Sequence, residues 1–270
     1  MEEKREERKK VMMEEMSWWE ISEALKNGVD TVIVALGSIE QHGHHLPLIT
    51  DTIHAHYLSE RIAQELGNAL VAPVIRPGYS EHHMDFPGTI SLRHETLANI
   101  IRDYCSCLIG HGFKNIVMLS CHGGNFPLLE VVAAQIAMAY QKEGVNVFPI
   151  INPYSDAYAG KDRENIGHPA GWPEGIHAGK YEASSVMAYR PELVDMSRGI
   201  TEWPERLKTH KGEFEFNEET MMLLHTKGMK YFTKSGVIGD GKACDPEYGR
   251  RANELLAKRI AESLRKMMKS

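Results

Sequence analysis

Cysteine is scarce in this chain and follows no motif. Only four cysteines occur among 270 residues, and no two of them have the Cys-x-x-Cys spacing. Four scattered cysteines are too few for a disulfide framework, and the Cys-x-x-Cys spacing typical of thiolate zinc sites is absent. We therefore expect reduced thiols, a cytoplasmic protein and a fold that depends on its core. Cys121 precedes a histidine, but without a Ser/His/Asp-like signature we interpret it as a semi-buried packing residue rather than a nucleophile.

Long apolar runs and an excess of basic charge are also absent. No segment approaches the roughly 20 apolar residues of a membrane-spanning helix, and the charged N-terminus lacks the apolar centre of a secretory signal. The formal net charge is -6, from 31 basic and 37 acidic residues. Because nucleic-acid binding usually requires a basic face, we expect neither a membrane nor a nucleic acid as a partner.

Helical and extended patterns alternate along the chain, which is typical of a mostly parallel sheet covered on both faces by helices. Helices are predicted at residues 2–26, 54–66, 95–108, 128–142 and 246–269, and strands at residues 31–36, 69–75, 115–119 and 145–151. Low-complexity sequence and linkers are missing between these elements. We predict an α/β protein with a charged N-terminal helical extension over residues 1–16 and a single domain over residues 17–270.

Histidine, by contrast, is abundant, and several of the 14 histidines lie near carboxylates in turns after predicted strands. Glu40 and His42 follow the first strand, and His122 follows the strand at residues 115–119. Asp51 stands at the start of a predicted helix. Ligands of α/β sheets gather outside the carboxyl ends of the strands, so we expect these groups at one edge. Carboxylate and imidazole ligands without cysteine suit zinc, manganese or iron, and two such ions can acidify a bridging water.

Five segments, in order, resemble the signatures of the creatininase family. The opening signature matches residues 37–51, GSIEQHGHHLPLITD. The other matching segments are residues 85–92 (DFPGTISL), 122–125 (HGGN), 177–184 (HAGKYEAS) and 236–240 (GVIGD). Together they extend over nearly the whole chain from Trp18 onward. The resemblance implies a three-layer α/β/α sandwich with a mostly parallel central sheet, and a homo-oligomer, often a hexamer.

The resemblance also implies roles for individual residues. The residues that match metal ligands are Glu40 and His122 for one ion, His42 and Glu182 for the other, and Asp51 as the bridge between them. His177 matches the residue that passes a proton to the leaving nitrogen, without which amide cleavage stalls. Ser80 and Glu174 match positions that line the substrate pocket, and His82 could reach it.

Each of these residues also has a structural interpretation that needs no function. Glu182 opens a predicted helix and could be a favourable first-turn acid. His177 could be a packing histidine, and His82 a solvated loop histidine. Any single histidine in these turns could equally be a surface or hydrogen-bonded residue.

The chain departs from the creatininase pattern after His122. Creatininases themselves carry a tyrosine and a glutamate there, and this chain has Gly123 and Gly124. The missing carboxylate disfavours creatinine as the substrate. The glycine pair resembles instead the archaeal deformylase of flavin and deazaflavin biosynthesis and the mycofactocin-associated peptidase.

The function that we predict is a metal-dependent amidohydrolase. It would cleave the C–N bond of a cyclic amide or formamide in a small polar molecule, with a hydroxide held by two divalent ions, Zn, Mn or Fe. One alternative is a deformylase of a formylamino-pyrimidine nucleotide; the chain has no glycine-rich phosphate loop, but helix starts bind phosphate without one. Further alternatives are a metal-dependent C–C hydrolase or lyase on a sugar-like ketone, and a non-catalytic binding protein.

Overall fold

A four-stranded parallel sheet forms the centre of the molecule. The computed structural model describes residues 10–154, 175–208 and 218–269. The strands of this sheet are β1 (Thr31–Leu36), β2 (Ala69–Val71), β3 (Asn115–Ser120) and β4 (Asn146–Ile150), in the spatial order β2-β1-β3-β4. Val32 of β1 pairs with Leu70 on one side and with Ile116 on the other. Because β1 is covered on both edges and both faces, its sequence is apolar from Val32 to Leu36.

Helices cover both faces of the sheet. Those within the described residues are α1 (Trp18–Lys26), α2 (Thr50–Leu66), α3 (His94–Gly110), α4 (Phe126–Ala139), α5 (Lys180–Tyr189), α6 (Glu218–Lys227) and α7 (Pro246–Met267). Successive strand residues point to opposite faces. Val32 and Val34 share a core with apolar residues of α3 and α4, whereas Ile33 and Ala35 share a core with residues of α2 and α7. The predicted three-layer α/β/α sandwich is therefore confirmed.

A second, antiparallel sheet consists of three very short strands. They are β5 (Gly175–His177), β6 (Thr201–Glu202) and β7 (Ile238–Asp240), in the order β5-β7-β6. Gly175 has a φ of +92°, and a Cβ at this position would lie 2.5 Å from the backbone of Gly239. Only glycine allows two strands to approach this closely in that conformation. The pairing places His177 at the end of β5, just before α5 begins.

The N-terminal segment differs from its prediction. Val11 and Met12 are buried, and Met12 forms a parallel bridge with Val71 of β2. A single 3-10 turn follows over Met13–Glu15. The predicted helical extension is wrong over residues 10–16, because these apolar side chains are buried in extended backbone beside the sheet. Residues 1–9 lie outside the described residues, and the predicted domain boundary at residue 16 stays a prediction.

A capping box explains where α1 begins. The Ser17 side chain accepts a hydrogen bond from the Glu20 amide, and the Glu20 carboxylate accepts one from the Ser17 amide at 2.7 Å. This reciprocal pair satisfies two amides at the helix start. The other helices and strands of the central sandwich agree with their predictions within a few residues. Among the described helices, none has the length and apolar character needed to cross a membrane.

Candidate metal centre

The polar turns that follow β1 and β3 open at one edge of the central sheet, as predicted. Leu36 at the end of β1 pairs with Ser120 at the end of β3, so the chain leaves both strands at the same level. The turn after β1 carries Glu40 and His42, and the turn after β3 carries His122. All three side chains are buried.

The turn after β1 packs directly on the first turn of α2, which carries Asp51. The Ser38 hydroxyl donates a hydrogen bond to Asp51 Oδ2 at 2.7 Å, and the Thr52 hydroxyl donates to the Ser38 carbonyl at 2.9 Å. A Cβ at Gly37 would lie 2.6 Å from Thr52 Cα, so glycine permits this close approach. These contacts direct the Asp51 carboxylate towards the imidazoles.

The predicted ligands converge into two groups that share Asp51. His122 Nδ1 lies 3.2 Å from Glu40 Oε2 and 3.1 Å from Asp51 Oδ2. His42 Nε2 lies 3.3 Å from Asp51 Oδ1 and 3.9 Å from Glu182 Oε1. Within each group the potential ligand atoms all lie within 4.8 Å of one another. Asp51 therefore stands between the two groups with one oxygen directed to each.

Backbone carbonyls fix the orientation of both imidazoles. His42 Nδ1 lies 3.2 Å from the Glu40 carbonyl, and His122 Nε2 lies 2.8 Å from the Tyr79 carbonyl. A carbonyl oxygen only accepts, so each of these ring nitrogens carries the donated proton. The opposite nitrogen of each ring faces the carboxylates, and in the neutral imidazole it offers its lone pair to an ion at that point. Metal-ligating histidines commonly have such a hydrogen bond on the second nitrogen.

The donor atoms fit divalent cations. Among the described residues, Glu40 Oε2 and His42 Nε2 are buried and have no hydrogen-bond partner. A buried polar atom without a partner costs free energy, and a cation between these groups would remove that cost. The set of carboxylate oxygens and imidazole nitrogens suits zinc, manganese or iron.

The electrostatics of the cluster also favour added positive charge. Burial raises the pKa of Glu40 and Asp51, but His122 beside Glu40 and His42 beside Asp51 outweigh it, and both pKa values fall well below their ordinary range. Burial lowers the pKa of His42, yet Asp51 and Glu182 raise it overall to about 10. Burial raises the pKa of Glu182 to about 7. Without cations, the buried carboxylates thus draw protons onto the imidazoles to balance their charge.

Glu182 is held at the start of α5. Its Oε2 accepts a hydrogen bond from the Ala178 amide, and its Oε1 faces His42. Ala178 has a φ of +53°, a left-handed conformation that costs free energy for a residue with a Cβ. This strained residue links His177 to the helix that carries Glu182. Glu182 is therefore both an acid in the first turn of α5 and a carboxylate beside His42.

His177 lies within reach of the cluster. Its Nε2 lies 2.7 Å from the Gln41 carbonyl, so this nitrogen carries a proton and donates it. Its Nδ1 lies 3.9 Å from Glu40 Oε1, and its ring is tilted by 35° against that of His42, with centroids 4.2 Å apart. Burial, followed by the charge of His42, lowers the pKa of His177 to about 4. His177 is thus neutral at neutral pH, and its Nδ1 lone pair faces the site.

Of the three residues predicted to line the pocket, two lie near His122. The Ser80 hydroxyl is buried and lies 3.3 Å from His122 Nε2. His82 is only 6% exposed, with its ring 5.8 Å from that of His122, so the solvated alternative for it is wrong. Glu174 lies outside the described residues.

Sequence reasoning missed two residues of the site, His83 and Gln41. His83 Nε2 lies 3.4 Å from Glu40 Oε1, and His83 is as deeply buried as the predicted ligands. Its position beside His82 was a signal, but only the 3-10 turn over Glu81–His83 decides which histidine faces Glu40. Gln41 stands between two predicted ligands in the sequence, but an amide side chain at that place is no signal of a metal site.

Known proteins resemble this chain over most of its length. The sequence profile of the creatininase family, described as creatinine amidohydrolase, matches residues 14–264. The chain belongs to the creatininase family. The predicted resemblance is confirmed, and the match extends over both the central sandwich and the turns that carry the candidate metal ligands.

Individual relatives show how far this family membership extends. Creatinine amidohydrolase of Pseudomonas putida is 29% identical over 209 residues, which cover 73% of this chain and 78% of that protein. Mycofactocin precursor peptide peptidase of Mycolicibacterium smegmatis is 34% identical over 151 residues, which cover 54% of this chain and 60% of that protein. A solved creatininase structure of the Zn-Zn type has a TM-score of 0.77 at 24% identity, and covers 96% of this chain and 98% of that one.

These similarities establish the class of reaction. The relatives carry hydrolase names, among them an amidohydrolase and a peptide peptidase, and this chain is an amide hydrolase of the same family. The structural similarity supports the fold. The buried groups around Asp51 are able to bind metal ions.

Proposed function

We propose that this member of the creatininase family is a two-metal amidohydrolase that opens a cyclic amide or a formamide in a small polar molecule. The observation that carries the proposal is Asp51, whose two carboxylate oxygens face two separate imidazoles at 3.1 and 3.3 Å. One carboxylate shared between two ligand groups is an arrangement that suits a dinuclear site.

In this proposal each ligand group holds one divalent ion, Zn, Mn or Fe. Glu40, His122 and Asp51 hold the first, and His42, Glu182 and Asp51 hold the second. When bound, such a pair of ions acidifies a water molecule and polarises the carbonyl that is attacked. The protein residues keep the ions close together and exclude bulk solvent, because all of these side chains except Glu182 are almost fully buried.

In this proposal His177 transfers the proton that amide cleavage requires. Its Nδ1 is unprotonated at neutral pH and faces Glu40, so it can accept a proton released at the site. The Nε2–H bond to the Gln41 carbonyl stabilises the imidazolium that forms. His177 then returns the proton to the leaving nitrogen, which must depart as a neutral amine.

Ser80 and His82 are proposed to contact the substrate near the first ion, and Glu174 to complete the pocket. Creatinine is disfavoured as the substrate, since Gly124 supplies no carboxylate where creatininases have a glutamate. The homo-oligomeric state and the cytoplasmic location stay predictions.

The proposal is tested by elemental analysis of the purified protein and of Asp51→Ala. We expect about two Zn, Mn or Fe ions per chain in the wild type. The variant should lose most of this metal, and turnover of cyclic amides and formamides should fall by at least about 1,000-fold, because both ions lose their shared ligand. The substrate panel includes a formylamino-pyrimidine nucleotide and a sugar-like ketone, which represent the alternative reactions.

Asp103→Ala is the matched control. Asp103 is exposed on α3 and belongs to none of the described groups that could hold an ion, so its loss should leave metal content and turnover unchanged. Wild-type turnover in Asp51→Ala, or a wild-type protein that takes up no metal and is not activated by any, would overturn the proposed function.

A further inference from the structure

Gln41 has a carboxamide whose orientation is fixed by backbone groups. Its Oε1 accepts a hydrogen bond from the Gly43 amide at 3.0 Å, and its Nε2 donates one to the Gly236 carbonyl at 3.1 Å. A backbone amide only donates and a backbone carbonyl only accepts, so exchanging the amide oxygen and nitrogen would lose both bonds. One hydrogen of the Gln41 amide is therefore committed to Gly236, and one remains.

The remaining hydrogen is directed to His83. Nε2 of Gln41 lies 2.9 Å from His83 Nδ1 and 3.0 Å from His177 Nε2. His177 Nε2 already donates its proton to the Gln41 carbonyl at 2.7 Å, so it offers no lone pair to the amide. The amide of Gln41 thus donates to His83 Nδ1.

This hydrogen bond fixes the tautomer of His83. A neutral imidazole that accepts at Nδ1 carries its proton on Nε2. That nitrogen lies 3.4 Å from Glu40 Oε1, and both side chains are about 2% exposed. The other oxygen, Glu40 Oε2, has no hydrogen-bond partner among the described residues and lies 3.2 Å from His122 Nδ1. The two oxygens of Glu40 are thus in different environments.

We propose that Gln41 is a positioning residue that acts through His83 to orient Glu40. Gln41 keeps the His83 proton on Nε2, this N–H faces Oε1 of Glu40, and Oε2 is left free for the ion that His122 binds. The inference rests on the proposed function, since it treats Glu40 as a metal ligand. Residues that orient metal ligands in this way typically contribute 10- to 100-fold to metal affinity.

The first test is the zinc affinity of Gln41→Glu, measured by competition with a chromophoric chelator. The glutamate keeps the size of the side chain and an acceptor for the Gly43 amide, but it removes both donated hydrogens. Its carboxylate would accept from His83 Nδ1–H and so reverse the tautomer. We expect zinc affinity to fall by about 10- to 100-fold. Gln141→Glu, the same change at an exposed position, should leave it unchanged.

A double-mutant cycle separates positioning from a merely structural role. His83→Leu should weaken zinc binding as much as Gln41→Glu, whereas His83→Gln, which can present an N–H near the former Nε2 position, should recover part of the loss. If Gln41 acts through His83, the double variant Gln41→Glu/His83→Leu binds zinc no more weakly than His83→Leu alone. Additive losses, or wild-type affinity in Gln41→Glu, would contradict the positioning role.

Ring-nitrogen NMR of zinc-loaded protein labelled with 15N-histidine supplies a readout that needs no activity. The His83 proton should reside on Nε2 in the wild type and on Nδ1 in Gln41→Glu. A proton on Nδ1 in the wild type overturns the inference even if zinc binds normally. A wild-type protein that binds no metal, with the His83 proton on Nε2, instead refutes the proposed metal site and the assignment of Glu40 to it.

Discussion

Gly123 and Gly124 are adjacent in the turn after β3 but have different surroundings. A Cβ at Gly124 would lie 2.2 Å from the Tyr79 carbonyl and 2.4 Å from His122 Nε2. A Cβ at Gly123 would meet its nearest neighbour at 3.9 Å, which is ordinary contact. Glycine at position 124 therefore permits the hydrogen bond between Tyr79 and His122. With the backbone in this position, a side chain at residue 124 would have to displace that bond.

Gly124→Ala is expected to impair the site while Gly123→Ala is tolerated. The added methyl group at position 124 collides with a backbone carbonyl and a buried ring, so one of them must move, at a cost of about 1–3 kcal/mol in the free energy of unfolding. Because His122 would lose its fixed orientation, metal affinity should fall by about 10-fold or more. Urea unfolding and zinc titration of both variants check this. Equal stability and equal zinc affinity of the two alanine variants would show that the turn rearranges around the added methyl group without cost.

At the scale of elements, Glu182 depends on the contact between α5 and α7. A Cβ at Gly249 of α7 would lie 2.4 Å from the Ser184 carbonyl carbon and oxygen, so the two helix backbones touch at this point. Side chains reinforce the contact: Tyr181 donates to Asn253 Oδ1 at 2.6 Å, and the Asn253 amide donates to the Ser185 hydroxyl at 2.6 Å. Since α5 begins two residues before Glu182, α7 contributes to the position of this proposed ligand.

Gly249→Ala should destabilise the protein although alanine favours helix. The propensity gain of about 1 kcal/mol is smaller than the cost of separating two packed backbones, and we expect a net loss of about 1–3 kcal/mol in the free energy of unfolding. Gly110→Ala, at the exposed end of α3, is the control: its Cβ would meet nothing within 4 Å, so stability should stay the same or rise. Chemical denaturation measures both. A neutral Gly249→Ala would show that α5 can shift without cost.

The elements that the sequence predicts correctly have either a continuous apolar run or a repeating apolar pattern. Strand β1 has the continuous run, and helices α2 and α3 have the repeating pattern. The strands β5, β6 and β7 have two or three residues each, which is too short for any periodicity. The extended backbone at Val11 and Met12 was missed for a different reason: the charged sequence around them favours a helix, and burial beside β2 outweighs that preference.

At the scale of the whole molecule, the candidate site joins segments that are far apart in the sequence. The amide of Gln41 contacts His83 across 42 residues and His177 across 136 residues. The family resemblance predicted which residues converge, because ligands stand in recognisable motifs. It could not predict Tyr79, His83 or Gln41 as partners of those residues, since their contacts depend on how separate turns meet in the folded chain.

Because the proposed ligands lie on separate segments of the chain, bound metal ions would stabilise the whole fold. The proposed ions would link the turns after β1 and β3 to the first turns of α2 and α5, and would replace the protons that otherwise balance Glu40 and Asp51. An ion present at 1,000 times its Kd stabilises the folded state by about 4 kcal/mol. In a domain of this size, that corresponds to a change in Tm of roughly 8–16 °C.

Chelation should therefore lower the Tm of the wild-type protein by about this amount, and zinc in excess over the chelator should restore it. Differential scanning calorimetry with and without EDTA measures the change. Asp51→Ala is the control, because a protein that has already lost its shared ligand should show little response to the chelator. A wild-type Tm that EDTA leaves unchanged, in a sample shown to be metal-free after treatment, would mean that these buried carboxylates and imidazoles are held together by their own protons and hydrogen bonds rather than by metal ions.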